Sequence, residues 1–172
     1  KSYTSMKIIG LALAIVLLFS PLVLAEVYLS ADEATKRIFP NLQEYKAEKH
    51  IVDNQEFKVF TVVADAKVIG WTVIVDEMGK IKPITFLVGV DTQGKVLGVY
   101  VLEYRDLFGS EIKRRSFLRQ FQGKSLKAPL SIGRDIDAVT SATISSQAAT
   151  LAVKKSLKII EELKTEILEE MN

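Results

Sequence analysis

The residues best suited to chemistry lie in Asp137-Ala-Val-Thr-Ser-Ala-Thr-Ile-Ser-Ser146, where the hydroxyls of Thr140, Ser141, Thr143 and Ser145 stand beside the small Ala138 and Ala142. Such a run is too polar and too small to be core. From Ile144 onward the sequence is helical in pattern, so the stretch sits where a loop delivers the backbone into a helix. A helix start carries unpaired N–H donors and a partial positive charge, which makes it a natural place to hold a phosphate. On residue types alone the stretch reads as an N-cap and a candidate anion site.

Composition narrows the chemistry. The chain has 172 residues and no cysteine, which excludes disulfides, thiolate metal sites and c-type haem attachment. His50 is the one histidine, so neither a His-based zinc site nor a Ser-His-Asp triad is expected, and no catalytic or metal-ligating set is assigned. Any redox chemistry would have to come from a bound organic cofactor. There are 23 Lys plus Arg and 21 Asp plus Glu; residues 1–25 hold Lys1, Lys7 and no acid, which leaves 21 of each beyond them. A neutral remainder carries no electrostatic footprint for nucleic acid.

Residues 1–25 form a unit of their own. Met6-Lys7 opens an apolar run from Ile8 to Ala25, interrupted by Gly10, Ser20 and Pro21. A short basic start, an apolar centre and Val23-Leu24-Ala25 before Glu26 read as a secretory signal; eighteen residues are also just enough for an uncleaved membrane anchor. Pro21 and the small Ala25 favour cleavage. Either way residues 26–172, expected as a single domain, would lie outside the cytoplasm, in the periplasm or at the cell surface.

The elements that must position the hydroxyl stretch follow in order. Ser30-Ala-Asp-Glu33 is a capping box for a short helix that ends by Phe39, ahead of Pro40. Asn41 to Asn54, with His50, reads as a polar connector. Strands are expected at Phe57–Ala64, Lys67–Val75, Ile84–Val90 and Val96–Tyr104, with Asp91-Thr-Gln-Gly-Lys95 as a hairpin turn. Short Gly-containing turns argue for an antiparallel sheet. Trp71, after Gly70, is expected to pack on the sheet face, with a place beside a planar cofactor as the other reading.

A polar and aromatic turn, Glu103 to Gly109, leads to Ser110–Gln122, expected mostly helical with Phe117, Leu118 and Phe121 on one face and Gly123 as a left-handed C-cap. The basic cluster Lys113, Arg114, Arg115 and Arg119 reads as solvated surface before it reads as a binding patch. The last helix shows an apolar stripe, Ile144, Ala148, Leu151, Ala152, Ile159, Ile160, Leu163, Ile167 and Met171. Its lysines come early and its glutamates late, against the helix dipole. The fold class is α+β: an antiparallel sheet of about four or more strands packed against helices, with a long C-terminal helix.

Gly70 to Ser146 resembles the FMN-binding domain family, which includes the covalently flavinylated subunits of the Rnf complex and of the sodium-pumping NADH:quinone reductase. The family's final motif is Asp-x-x-(Ser/Thr)-(Gly/Ser)-Ala-Thr, matched by Asp137, Thr140, Ser141, Ala142 and Thr143. Gly79 to Asp91, Gly94-Lys95, Glu103 to Gly109 and Phe121-Gln-Gly-Lys124 are similar to further family segments in the same order. Ser141 stands where the family often has glycine.

The resemblance implies FMN esterified through its phosphate to the Thr143 side chain by a separate flavin transferase, with Asp137 in the transferase's recognition sequence. The free N–H groups of Ile144, Ser145 and Ser146 would meet the phosphate, and Ser145 or Ser146 could donate to it. Trp71, Tyr104, Phe108 and Leu107 are the candidate ring contacts, and Lys124 or Arg134 the candidate cations. The function expected is an exported electron-transfer flavoprotein working with membrane or exported redox partners, and membrane-associated if residues 8–25 are retained. The alternatives are a small FMN-dependent reductase and a non-redox binding module of the same fold.

Overall fold

The computed structural model describes residues 26–170. The expected signal or anchor, residues 1–25, and the stripe residue Met171 lie outside the described residues.

Six antiparallel strands form one sheet: β1 (Glu26–Val27), β2 (Glu44–Val52), β3 (Gln55–Ala64), β4 (Lys67–Met78), β5 (Pro83–Asp91) and β6 (Val96–Tyr104). Their order across the sheet is β1-β6-β5-β4-β3-β2, so β2 to β6 make a simple meander and the two-residue β1 returns to pair with β6. Among the described residues three helices accompany the sheet: α1 (Ala31–Ile38), the four-residue α2 (Arg115–Leu118) and α3 (Thr143–Glu170). The α+β class expected from the sequence is what the structure has.

Local chemistry explains the turns. Asp91 caps its hairpin by accepting the N–H groups of Gln93 and Lys95, each at 2.9 Å. Two hairpins turn through consecutive left-handed residues, Asp53-Asn54 and Asp65-Ala66, the conformation of type I′ turns. The first of these departs from expectation: residues 44–52 are a strand, where a connector was expected. Tyr45-Lys-Ala-Glu-Lys-His carries few β-branched residues, and its strand character comes from nine register pairs with β3. His50 sits within this strand, and its side chain, 12% exposed, places Nδ1 3.7 Å from Glu166 of α3. It is no loose connector residue.

α3 covers one face of the sheet, above a core that includes Val73, Val75, Phe86, Val88 and Val101. Ala148, Ala152, Ile159 and Ile160 face it as expected; Ile144 and Leu151 point outward, and Ala149, Val153 and Leu157 complete the buried face instead. Lys155 pairs with Glu77 of β4. On the other face α1 packs over a smaller cluster of Leu29, Ala34, Leu87 and Leu102. Its Ser30 accepts the Glu33 N–H at 3.1 Å, as the capping box predicts. Ser110–Gln122 is less helical than expected: 3-10 turns at Ser110–Lys113 and Arg119–Phe121 flank α2. Phe117, Leu118 and Phe121 are nonetheless all buried, and Gly123 is left-handed.

Candidate functional site

The hydroxyl stretch folds as a turn and a helix start. Ala142 N–H donates to Val139 O at 2.9 Å, closing a turn through Thr140 and Ser141, and Ser141 is left-handed with φ +64°. A positive φ at the third position of a turn is what glycine supplies most readily. That accounts for a position where either Gly or a small polar residue serves. Ser146 N–H then donates to Ala142 O at 2.8 Å, the first helical bond of α3. Ala142 is therefore the N-cap, and alanine has no side-chain acceptor to cap the turn.

Three donors, the N–H groups of Thr143, Ile144 and Ser145, are left without a partner among the described residues. This set starts one residue earlier than the expected Ile144 to Ser146, because Ser146 N–H is already bonded. The stretch is also not wholly outside the core, as its polarity led one to expect: Ala142, Ser145 and Ser146 are buried, while Thr140, Ser141 and Thr143 are exposed. Both serine hydroxyls are engaged. Ser146 Oγ donates to Ala142 O at 2.9 Å and accepts from Val139 N–H at 3.0 Å, tying loop to helix. Tyr104 Oη gives its one proton to Phe108 O, so Ser145 Oγ, 3.1 Å from Tyr104 Oη, is the donor of that pair. Neither hydroxyl is turned toward a ligand. They set the helix start instead.

A cleft of about 300 Å³ opens beside Thr143, lined by Lys80, Phe108, Gly109 and residues 141–145. Gly109 is left-handed at φ +86°, and a Cβ there would collide with Ser145 Oγ. The loop carrying Phe108 thus lies directly on the helix start. Lys80 Nζ sits 4.9 Å from the Phe108 ring centroid. Phe108, Ile144 and Leu107 are exposed large apolar residues in this region, with 54%, 46% and 60% of their surface in water.

Asp106 fixes the two loops of the cleft to each other. Its carboxylate accepts Ile81 N–H at 2.9 Å and Leu107 N–H at 2.7 Å. Burial pushes this carboxyl up, but the backbone N–H groups of Ile81, Leu107, Lys82 and Lys80 outweigh burial and hold it below the usual carboxylate range. A Cβ on Gly79 would stand 2.5 Å from Asp106 Oδ2, so a side chain at that position would displace the carboxylate. For Tyr104, burial is the largest influence, and the phenol is shifted up.

The remaining expected residues divide sharply. Asp137 is exposed and close in sequence to Thr143; its backbone is clamped by the Gln120 amide, at 2.8 Å to its N–H and 3.1 Å to its O. Trp71 is elsewhere. It pairs with Val90 and Thr61 and is 5% exposed, seven residues along β4 from Met78 at the cleft end, about 23 Å at 3.3 Å per residue. The packing reading of Trp71 is the one the structure supports. Lys124 is at that far end too, its carbonyl bonded to Val96 N–H and its ammonium 3.1 Å from Asp135. It supports the loop that leads to the site and does not reach the cleft. Arg134 is exposed in that same loop. Tyr104 reaches the site from beneath, as a support for Phe108 and Ser145. Lys80 and Asp106 were not among the expected site residues, although Gly79-Lys80 and Asp106-Leu-Phe-Gly109 both lie inside segments that carry the family resemblance.

The cleft's residues suit a phosphate ester: unpaired N–H donors, an exposed hydroxyl, a nearby ammonium and apolar side chains for a flat ring. Known proteins point the same way. Residues 79–158 match the family model described as FMN-binding domain. An 85-residue alignment at 34% identity, covering 43% of this chain, relates it to the subunit designated G of the ion-translocating oxidoreductase complex of Shewanella oneidensis. The chain spans 40% of that relative's length. In Parabacteroides distasonis, the subunit designated C of the Na(+)-translocating NADH-quinone reductase has a crystal structure with the same fold. The TM-score is 0.50 at 19% identity, with coverage of 76% of this chain and 82% of that one. The matched segment, 80 of the 172 residues, runs from the Gly79 turn through Thr143 into α3, the same parts that build the cleft, and it is this segment that is similar to the FMN-binding domain family.

Proposed function

We propose that this chain is an electron-transfer flavoprotein in which FMN is joined by a phosphodiester to Thr143 Oγ1. The observation that carries the reading is the coincidence of an exposed Thr143 hydroxyl with an uncapped helix start at the same residue. In the attachment step the Thr143 oxygen bonds to the phosphorus of an FMN anhydride. The P–O bond to the nucleotide leaving group breaks, and the hydroxyl proton passes to base. A flavin transferase is the enzyme proposed for this step, and exposed Asp137 is part of what it would recognise.

The N–H groups of Thr143, Ile144 and Ser145 then face the anionic diester, with the helix dipole behind them. Lys80 is the cation able to reach the cleft mouth. Phe108, Leu107 and Ile144 offer apolar surface for the ring system. When bound, FMN supplies the one- and two-electron chemistry; the protein holds it and sets its surroundings. The exposed apolar rim favours transfer to another protein, and both relatives, named as subunits of redox complexes, support membrane redox partners. An extracytoplasmic location follows only if residues 8–25 act as the signal or anchor proposed for them.

The test is the intact mass of the chain after co-expression with a flavin transferase in an exporting host. The wild type gains one FMN less one water, and Thr143→Ala gains nothing. An adduct retained by Thr143→Ala would overturn the attachment site.

A further inference from the structure

Strand β6 is the last long strand on its side of the sheet, and only parts of its outer edge are covered. At one end β1 covers it: Glu26 and Val27 pair with Tyr104 and Glu103, and Tyr28 N–H donates to Leu102 O at 2.9 Å. At the other end the segment after α2 covers it. Val96 N–H donates to Lys124 O at 2.9 Å, Gly123 N–H to Val96 O at 2.8 Å, and Gln122 Nε2 to Leu97 O at 3.1 Å. Between these caps, Gly98 to Val101 form the floor of a cleft of about 540 Å³, larger than the one at Thr143.

Backbone polar groups alternate between the two edges of a strand. The β5–β6 register shifts at Leu97 and Leu102, and Asp91 N–H bonds to Lys95 O, so Gly89 and Leu87 face Gly98 and Tyr100 across the sheet; the N–H and C=O groups of Val99 and Val101 face outward, and no loop or side chain of the described residues bonds to them there. Backbone groups in a sheltered place are costly to leave unpaired. The cleft walls add charge. Arg115 and Arg119 stand one helical turn apart, both exposed, with no carboxylate within ion-pair distance among the described residues. The one acid in the lining, Glu33, is bound to Arg37 at 2.6 Å.

We propose that this cleft docks an extended acidic segment of a partner protein, which adds to β6 as a short strand with its carboxylates toward Arg115 and Arg119. The open backbone selects an extended chain, the mode of β-strand addition. The two arginines select acidic side chains. The gap from Gly98 to Val101 takes a segment of about four residues, roughly 13 Å. Charged residues can also serve to repel a strand from a bare edge. Here, however, the arginines stand in the wall and leave the floor open. Docking at β6 does not depend on the flavin.

Fluorescence anisotropy with the full chain tests it, using a labelled hexapeptide that alternates glutamate and valine. Binding is expected to weaken by about tenfold or more in R115E/R119E, whose two sites are on the surface. A similar loss is expected for a peptide N-methylated on the alternate residues that would face β6. Overturning results are a lysine–valine peptide that binds as tightly, an N-methylated peptide that binds undiminished, or displacement of the peptide by inorganic phosphate. The absence of peptide binding, with anionic phosphatidylglycerol vesicles captured instead through Arg115 and Arg119, would mark a membrane-facing patch and would equally overturn it.

Discussion

At the end of the sheet where β4 turns into β5, Asp106 draws together the backbone N–H groups of Ile81 and Leu107. At the opposite end, near the start of β6, Asp135 does the same for Leu130 and Ser131, at 3.2 and 2.9 Å. Burial pushes both carboxyls up, and in both the hydrogen bonds prevail and hold them below the usual range. The difference is the counter-charge. Asp135 has Lys124 at 3.1 Å, so its charge is neutralised inside the loop. Asp106 is held by neutral backbone donors, and the nearby Lys80 lies instead over Phe108 at the cleft mouth. One end is closed on itself, while the other keeps a cation and an apolar rim for something outside the chain.

That contrast can be broken from either side. Asp106→Ala removes the acceptor for at least two sheltered N–H groups, so about 2–4 kcal/mol of stability is expected to go, by the cost of unpaired buried donors. The loops carrying Lys80 and Phe108 are then no longer fixed to each other. Chemical denaturation should show the loss, and flavin incorporation under co-expression should fall with it. Asp135→Ala also frees two N–H groups, but at a more exposed place where water can replace the carboxylate, so about 1–2 kcal/mol is expected. Flavin incorporation at Thr143 should persist in that variant. If both variants lost flavin equally, the two ends would not be independent.

Acid should affect both ends more gently. Each carboxyl has a folded-state pKa below its unfolded one, so the folded protein binds fewer protons between those values. The stabilisation is complete above the unfolded value, about 4 for aspartate, and is lost as pH falls through the lowered folded value. Unfolding followed from pH 6 downward should therefore show stability declining below about pH 4. The decline should be shallower in Asp106→Asn and in Asp135→Asn, with each variant removing its own share.

The two ends also differ in what the sequence could convey. Apolar and β-branched runs mark β6 to the residue and β3 to β5 within three residues at each end, since such runs and the Asp91 turn are local signals; β4 continues through Asp76-Glu-Met78, beyond the expected end at Val75. β2 was not legible because its sequence is polar and its strand character comes from pairing with β3; the left-handed Asp53-Asn54 turn is the local sign. The helix start at Thr143 was legible through the change of period. Placement along the sheet was not legible. Tyr104, Lys124 and Trp71 all belong to residue classes that contact flavins, but only register decides which end of a strand a side chain occupies. Asp106 escaped notice because its partners include a backbone N–H of a loop 25 residues away, and no residue type announces that.

Trp71 offers the smallest and cleanest test of the separation. Its indole is buried at the far end of β4, with Nε1 lacking a hydrogen-bond partner. Trp71→Phe removes ring volume from the core, a loss, and also removes that unpaired donor, a gain of about 1–3 kcal/mol by the usual penalty. The two effects oppose each other, so stability is expected to change by about 1 kcal/mol or less. The visible absorption band and the reduction potential of the bound flavin should not move, because the side chain lies some seven residues of strand from the cleft. A shifted flavin band in Trp71→Phe, with the fold intact by circular dichroism, would mean that the ring is held at the opposite end from Thr143's cleft. A tether at Thr143 with the ring lying beside Phe108 requires that no such shift occur.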